Sequence, residues 1–236
     1  MTKSFSGKIA LVTGASRGIG RAAAIALGRE GAHVICVART VGGLEETDDA
    51  IQKAGGTATL VPLNLKDFAA IDRLGASIFE RWKKLDAFFG NAGTLGVLTP
   101  LTHLDPKVFQ ELLDINVTAN WRLIRSLDPL LRQSEAGRVL MVSSAAARRN
   151  TAFWGGYAMS KAALEMITFT YAAECNGTQV KVNVLDPGPV RTIMRAKAMP
   201  GEDPATLPRP EELTPMILEA LSPAYDKNGE LIKFRK

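Results

Sequence analysis

Cysteine and histidine are nearly missing from this chain, with two of each among 236 residues. Cys36 lies in an apolar run and Cys175 near an expected helix end. Without the close spacing of a metal-ligand set they support neither a zinc site nor a disulfide framework, and both are expected as reduced thiols. His33 begins an apolar segment and His103 stands in a polar turn, each without a neighbouring acid or ligand, so both are assigned structural places. Long apolar runs are missing too. The stretch from Met1 to Lys8 leads directly into Ile9–Val12, which is too brief for a signal segment or a membrane span, so a soluble cytoplasmic protein is expected. The net charge of +5 is scattered, with no basic tail, which argues against a nucleic-acid partner. Repeats and low-complexity tracts are also absent. Hydrophobic residues at 46% and charged residues at 22% suit a self-folding globular chain, and the length suits a single domain.

Short apolar, β-branched runs recur at Ile9–Val12, His33–Ala38, Thr59–Leu63, Leu85–Phe89, Val139–Val142 and Val180–Leu185. Their near-continuous apolarity implies burial on both faces, as a parallel sheet between helices requires. The intervening segments predict helices over Gly18–Glu30, Phe68–Lys83, Asp105–Gln133 and Tyr157–Glu174. Asp105-Pro106 supplies a helix start, and glycine follows at Glu30-Gly31 and Asn176-Gly177, where helices should stop. The expected fold is α/β: one Rossmann-like, doubly wound parallel sheet of about seven strands. After Leu185 the prolines multiply up to Pro210 before a helical pattern over Glu211–Leu221, and residues 188–222 are expected to form a substrate-covering lid. A turn at Asn228-Gly229 precedes a last edge strand over Glu230–Phe234.

Between the first strand and the first helix lies Thr13-Gly14-Ala15-Ser16-Arg17-Gly18-Ile19-Gly20. Such a strand-to-helix turn presents backbone N–H groups at the positive end of a helix, where a pyrophosphate binds. Gly14 suits dihedrals closed to other residues, Gly18 allows close approach of an anion, and Gly20 allows helix and strand to pack closely. A plain tight turn would look similar, but this one lies on the first strand of a βα series. The pattern resembles the T-G-x-x-x-G-x-G fingerprint of the short-chain dehydrogenase/reductase family, and the resemblance runs from Lys8 to about Ile232.

The second strand ends at Ala38 without the acidic residue that holds a ribose 2′-hydroxyl, and Arg39 follows instead. Arg17 and Arg39 could converge on a 2′-phosphate, an arrangement the resemblance associates with preference for NADP(H), NAD(H) remaining possible. The resemblance further implies cofactor contacts from Ser16, Ile19, Asn91-Ala92-Gly93, Pro187, Gly188, Val190 and Thr192, the last meeting the nicotinamide carboxamide. The chain departs from the family pattern in two places. Asn64, before Leu65, takes the place of an aspartate that contacts adenine, and Gly90 replaces the first asparagine of N-N-A-G.

Tyr157 and Lys161 open a predicted helix, and a spacing of four puts them on one face. A tyrosine of ordinary pKa near ~10 is a poor acid–base catalyst at neutral pH, and a neighbouring ammonium favours its phenolate. Ser144 ends the fifth strand, thirteen residues before Tyr157, and by resemblance polarises the substrate oxygen. Asn116, in an apolar helix, matches the family's fourth catalytic residue, which supports Lys161 and a proton-relaying water; a helix-bending structural asparagine is compatible with that role. Lys161 and Tyr157 are implied to touch the cofactor as well. Arg148-Arg149 and Phe153-Trp154 are expected beside the substrate, or else as loop surface and loop packing.

The implied reaction is hydride transfer between NADP(H) and a carbonyl or secondary alcohol, with no metal. A carbonyl or 3-oxoacyl-type reductase is the expected activity, and the alternative is a dinucleotide-sensing regulator without chemistry. The resemblance also implies a homodimer or homotetramer built on the helices within Asp105–Gln133 and Tyr157–Glu174, and the end at Phe234-Arg-Lys236 is shorter than many tetramer-completing tails.

Overall fold

The computed structural model describes residues 3–234; Met1, Thr2, Arg235 and Lys236, at the two ends considered above, lie outside the described residues. Seven strands, β1 (Ile9–Thr13), β2 (His33–Ala38), β3 (Thr57–Pro62), β4 (Ala87–Gly90), β5 (Arg138–Val142), β6 (Lys181–Asp186) and β7 (Leu231–Lys233), form one sheet in the order β3-β2-β1-β4-β5-β6-β7. Every neighbouring pair is parallel.

The pleat divides the core in two. Ile9, Leu11, Ile35, Val37, Val139 and Met141 point to one face, against helices α3 (Phe68–Trp82), α5 (Ala119–Leu131) and α6 (Gly155–Glu174). The alternate residues Ala10, Val12, Val34, Cys36, Leu140 and Val142 point to the other, against α1 (Gly18–Arg29), α2 (Val41–Lys53) and α8 (Thr214–Leu221). Each fully buried leucine or isoleucine contributes roughly 1.5–3 kcal/mol by leaving water. The sheet order reverses between β1 and β4, so the connections leaving these adjacent strands part to opposite faces and leave a crevice at their carboxyl ends.

The expected elements form with shifted ends. The third strand starts at Thr57 and stops at Pro62; the fourth starts at Ala87, because the Leu85 N–H is spent on the carbonyl of Leu130 outside the ladder. The last strand pairs parallel to β6 rather than folding back as a hairpin, with Asn228 holding Val182 N at 2.8 Å and Ala172 O at 2.8 Å. The segment Asp105–Gln133 is not one uniform α-helix. It runs as α4 (Pro106–Leu112), a π-helical stretch Leu113–Thr118, then α5. Asn120 donates to the carbonyls of Ile115 at 3.2 Å and Asn116 at 2.9 Å, feeding carbonyls that the wider turn leaves less well paired. α2 has no counterpart in the sequence reading: it begins Val-Gly-Gly and buries only Leu44, Thr47 and Ile51, too few apolar positions for a periodic signal. The segment after β6 contains α7 (Ile193–Ala198) and two 3-10 turns, the second of which, Pro210–Leu213, takes up the start of the helix expected over Glu211–Leu221.

Candidate active site

A cleft of about 1350 Å3 opens at the carboxyl ends of the strands. Gly14, Ser16, Arg17, Gly18, Ile19, Arg39, Asn64, Leu65, Asn91, Ala92 and Gly93 line one part of it. Ser144, Tyr157, Lys161, Pro187, Gly188, Val190 and Thr192 line the rest, while Gly20 and Asn116 stand behind its wall.

The glycine turn is tied to the end of β4. The Thr13 hydroxyl accepts the backbone N–H of Asn91 and of Ala92, each at 3.0 Å, and the Asn91 amide donates to Thr13 O at 3.0 Å. Gly14 has φ +67°, and a Cβ there would come within 2.7 Å of that amide. A Cβ on Gly20 would overlap the carbonyl of Gly14, which is why α1 can start so close to β1. Thr13 opens the motif read from the sequence, which assigned it no contact of its own. Gly18, at φ +57°, faces Thr192, so a side chain there would narrow the gap between the glycine turn and the loop after β6. Arg17 and Arg39 are exposed, and neither forms an ion pair among the described residues. A glycine cradle at a helix start, flanked by two guanidinium groups without ion pairs among the described residues, fits the pyrophosphate of a dinucleotide.

Two departures from the family pattern have local explanations. Gly90 stands opposite Met141 in the β4–β5 register, and the methionine side chain occupies the space a Cβ would need. Asn64 accepts the N–H of Lys66 at 3.1 Å, closing a small turn with the oxygen it could offer to a base. Thr192 caps α7, accepting Arg195 N at 3.1 Å, while still lining the cleft.

On α6, Tyr157 and Lys161 face the cleft one turn apart. The Lys161 side chain, 3% exposed, donates to Val142 O at 2.9 Å, and Nζ lies 5.9 Å from the Tyr157 ring centroid. Burial pushes the Lys161 pKa down to about 8, against the pull of Glu165. Burial pushes Tyr157 up to about 12; a hydrogen bond with Ser144 opposes this and the negative charge of Asp186 adds to it. In the protein alone, desolvation therefore outweighs the Ser144 hydrogen bond, and the phenol keeps its proton at neutral pH. Ser144 stands in extended backbone at the start of the 3-10 turn Ala145–Arg148, where its hydroxyl also accepts Ala146 N at 3.2 Å.

Asn116 is fully buried in the π-helical stretch. Its amide accepts Thr94 N at 2.8 Å and donates to Thr94 O and to the Ser160 hydroxyl, both at 2.9 Å. Ser160 in turn donates to Tyr157 O at 2.8 Å. Asn116 thus braces the turn of α6 that carries Tyr157. It approaches Lys161 across Gly93, where a Cβ would sit 3.1 Å from Asn116 Oδ1 and 3.3 Å from Lys161 Nζ.

Both neighbouring arginines line the cleft, but Arg148 is bound to Glu165 and Asp186 while Arg149 forms no ion pair among the described residues. Trp154 stacks edge-on against Tyr157 at 6.1 Å, and Phe153 is exposed with φ +72°.

Known proteins share this layout. The uncharacterized oxidoreductase YciK of Escherichia coli K12 is 37% identical over 214 residues, 89% of this chain and 84% of that protein. A short chain dehydrogenase structure from Pseudomonas syringae superposes with a TM-score of 0.95 at 37% identity, covering 99% of this chain and 96% of the other. Another from Shigella flexneri 2a strain 301, solved in complex with NADP, gives 0.94 at 35% identity and covers 99% of both chains. Residues 8–203 match the short chain dehydrogenase family. A match over most of the length, together with the same seven-stranded sheet, makes this chain a member of that family of oxidoreductases.

Proposed function

We propose that this chain is an NADP(H)-dependent reductase of carbonyl compounds, 3-oxoacyl compounds among them, working through Asn116, Ser144, Tyr157 and Lys161. The observation that carries this reading is the buried Tyr157 phenol beside the Lys161 amine at the wall of the cleft that Ser144 also lines. A nicotinamide bound in this cleft would supply the hydride. Tyr157 gives its proton to the substrate oxygen while Ser144 hydrogen-bonds the same oxygen as charge develops on it. Lys161 in its ammonium form stabilises the phenolate left behind, and Asn116, through Ser160, keeps α6 in place. A sensor that only bound a dinucleotide would have no use for a buried amine and phenol held together.

Gly14, Ser16, Gly18 and Ile19 would hold the pyrophosphate, with Gly20 giving the backbone its close turn. Asn64 and Leu65 would meet the adenine. Asn91, Ala92 and Gly93 would border the cofactor's middle, Tyr157 and Lys161 the nicotinamide ribose, and Pro187, Gly188, Val190 and Thr192 the nicotinamide. Arg17 and Arg39 favour the 2′-phosphate, since no carboxylate follows β2 to take a 2′-hydroxyl. Residues 188–222 act as the substrate cover, with Met194 and Met199 partly exposed on it. A homo-oligomer would cover Phe109, Trp121 and Met166, exposed on α4, α5 and α6.

NADPH consumption against a panel of small carbonyl compounds tests the reading. Tyr157→Phe should lower kcat by roughly 10²–10⁴-fold, the usual worth of a positioned acid, with NADPH still bound. Turnover at the wild-type rate in this variant would overturn the mechanism.

A further inference from the structure

Arg148 follows the Ser144 turn and reaches two carboxylates from different elements. One nitrogen of its guanidinium bonds Glu165 Oε1 on α6, and the other bonds Asp186 Oδ2 at the end of β6. Both acids are buried, Glu165 at 7% and Asp186 at 6% exposure. Each is tied onward to the site. Glu165 also accepts the Ser143 hydroxyl at 2.5 Å, and Asp186 accepts the N–H of Gly188 at 3.2 Å, where the cofactor loop begins. Glu165 lies one turn beyond Lys161 on the same face, so Tyr157, Lys161 and Glu165 form a single row along α6.

We propose that Arg148 is the positioning residue of this site, pinning the Ser144 turn at once to α6 and to the β6 exit and balancing the two carboxylates buried beneath the phenol. The inference rests on the reading of Tyr157 as the proton donor.

A guanidinium suits this place because its flat fork presents two N–H edges to two oxygens in fixed directions, which a lysine cannot do. Its charge matters as much as its shape. Asp186 acts on Tyr157 and Glu165 acts on Lys161, so the charges meeting at this corner are two carboxylates against one guanidinium and one amine. Other groups nearby are Lys233, opposite Asp186 in the β6–β7 register, and the neighbouring Arg149, and neither is ion-paired among the described residues. Without Arg148, Glu165 and Asp186 lose their ion pairs and the negative field of Asp186 on the phenol loses its directly bound counter-charge. The midpoint at which Tyr157 ionises then moves to higher pH. The Ser144 turn loses its anchor, and small misplacements of a reacting group cost about 10²-fold in rate.

The test compares Arg148→Met, Arg148→Lys and the double variant Arg148→Met/Glu165→Gln for kcat across pH and for thermal melting. Arg148→Met should lower kcat about 10²-fold and move the pH-rate midpoint assigned to Tyr157, read with NADPH bound, to higher pH than in the wild type. Arg148→Lys should return the midpoint close to wild type, because the charge is back, while kcat stays about tenfold low, because the fork is not. If Arg148→Met does not fold, the double variant and Arg148→Lys carry the same comparison with less bare charge. A melting temperature that falls while the midpoint and kcat stay at wild-type values would reduce Arg148 to a structural brace and overturn the inference. Failure of the underlying reading looks different: Tyr157→Phe would then turn over normally, whatever Arg148 does.

Discussion

Tyr157 and Lys161 are moved by burial in opposite directions, one toward a neutral phenol and the other toward a neutral amine. Lys161 has a folded pKa of about 8, below its unfolded value near ~10.5. Its contribution is therefore present above about pH 10.5 and is lost as pH falls to about 8, because the folded state must then hold a buried ammonium. Tyr157, raised to about 12, contributes stability below about pH 10 that is lost as pH rises toward 12. Lys161→Met removes the first effect and keeps the second. Relative to wild type, the variant should be more stable at pH 7.5 than at pH 10, the gap changing by up to ~3 kcal/mol, as read by urea denaturation at the two pH values. A gap that stays constant would mean that the amine is better solvated than its burial implies.

At the scale of elements, the strands were legible because burial on both sheet faces demands apolar runs, whereas their order in the sheet was not. The YxxxK pair was legible because helical spacing alone puts both side chains on one face. What escaped was whatever depended on few residues or on distant ones. α2 is held by Leu44, Thr47 and Ile51 alone. The Arg148 clamp joins Glu165 and Asp186, which approach only once α6 and β6 are packed side by side. The π-helical stretch around Asn116 also left no periodic trace, although a buried asparagine in an apolar helix was a hint of it. Its integrity can be probed directly. Asn116→Ala strips partners from Thr94 N, Thr94 O and the Ser160 hydroxyl, and leaving such groups unpaired costs about 1–3 kcal/mol each before relaxation. A loss of roughly 2–4 kcal/mol in urea denaturation is expected, with lowered kcat because Ser160 no longer anchors the turn carrying Tyr157. A variant within about 0.5 kcal/mol of wild type would remove Asn116 as the brace between the Thr94 loop and α6.

Across the whole molecule, sheet order, glycine turn and charge converge on one crevice. The strand order reverses between β1 and β4, and the ends of these strands are stapled together through Thr13 and Asn91. A ligand lying across that staple touches loops from both halves of the sheet, so its binding energy is shared by the entire fold and appears as global stability. With NADPH at a hundred times its Kd, the linkage amounts to ~2.7 kcal/mol, or a melting shift of about 5–10 °C for a chain of this size. Arg17 and Arg39 both line the cleft, and on the proposed reading that shift should be larger for NADPH than for NADH, since only the former carries a 2′-phosphate for them. Arg39→Ala should therefore cut the NADPH-induced shift while leaving the NADH-induced shift nearly unchanged, both measured at fixed ligand concentration. Equal losses with both dinucleotides would place Arg39 against a group they share, and a larger shift with NADH in the unaltered chain would reverse the cofactor preference.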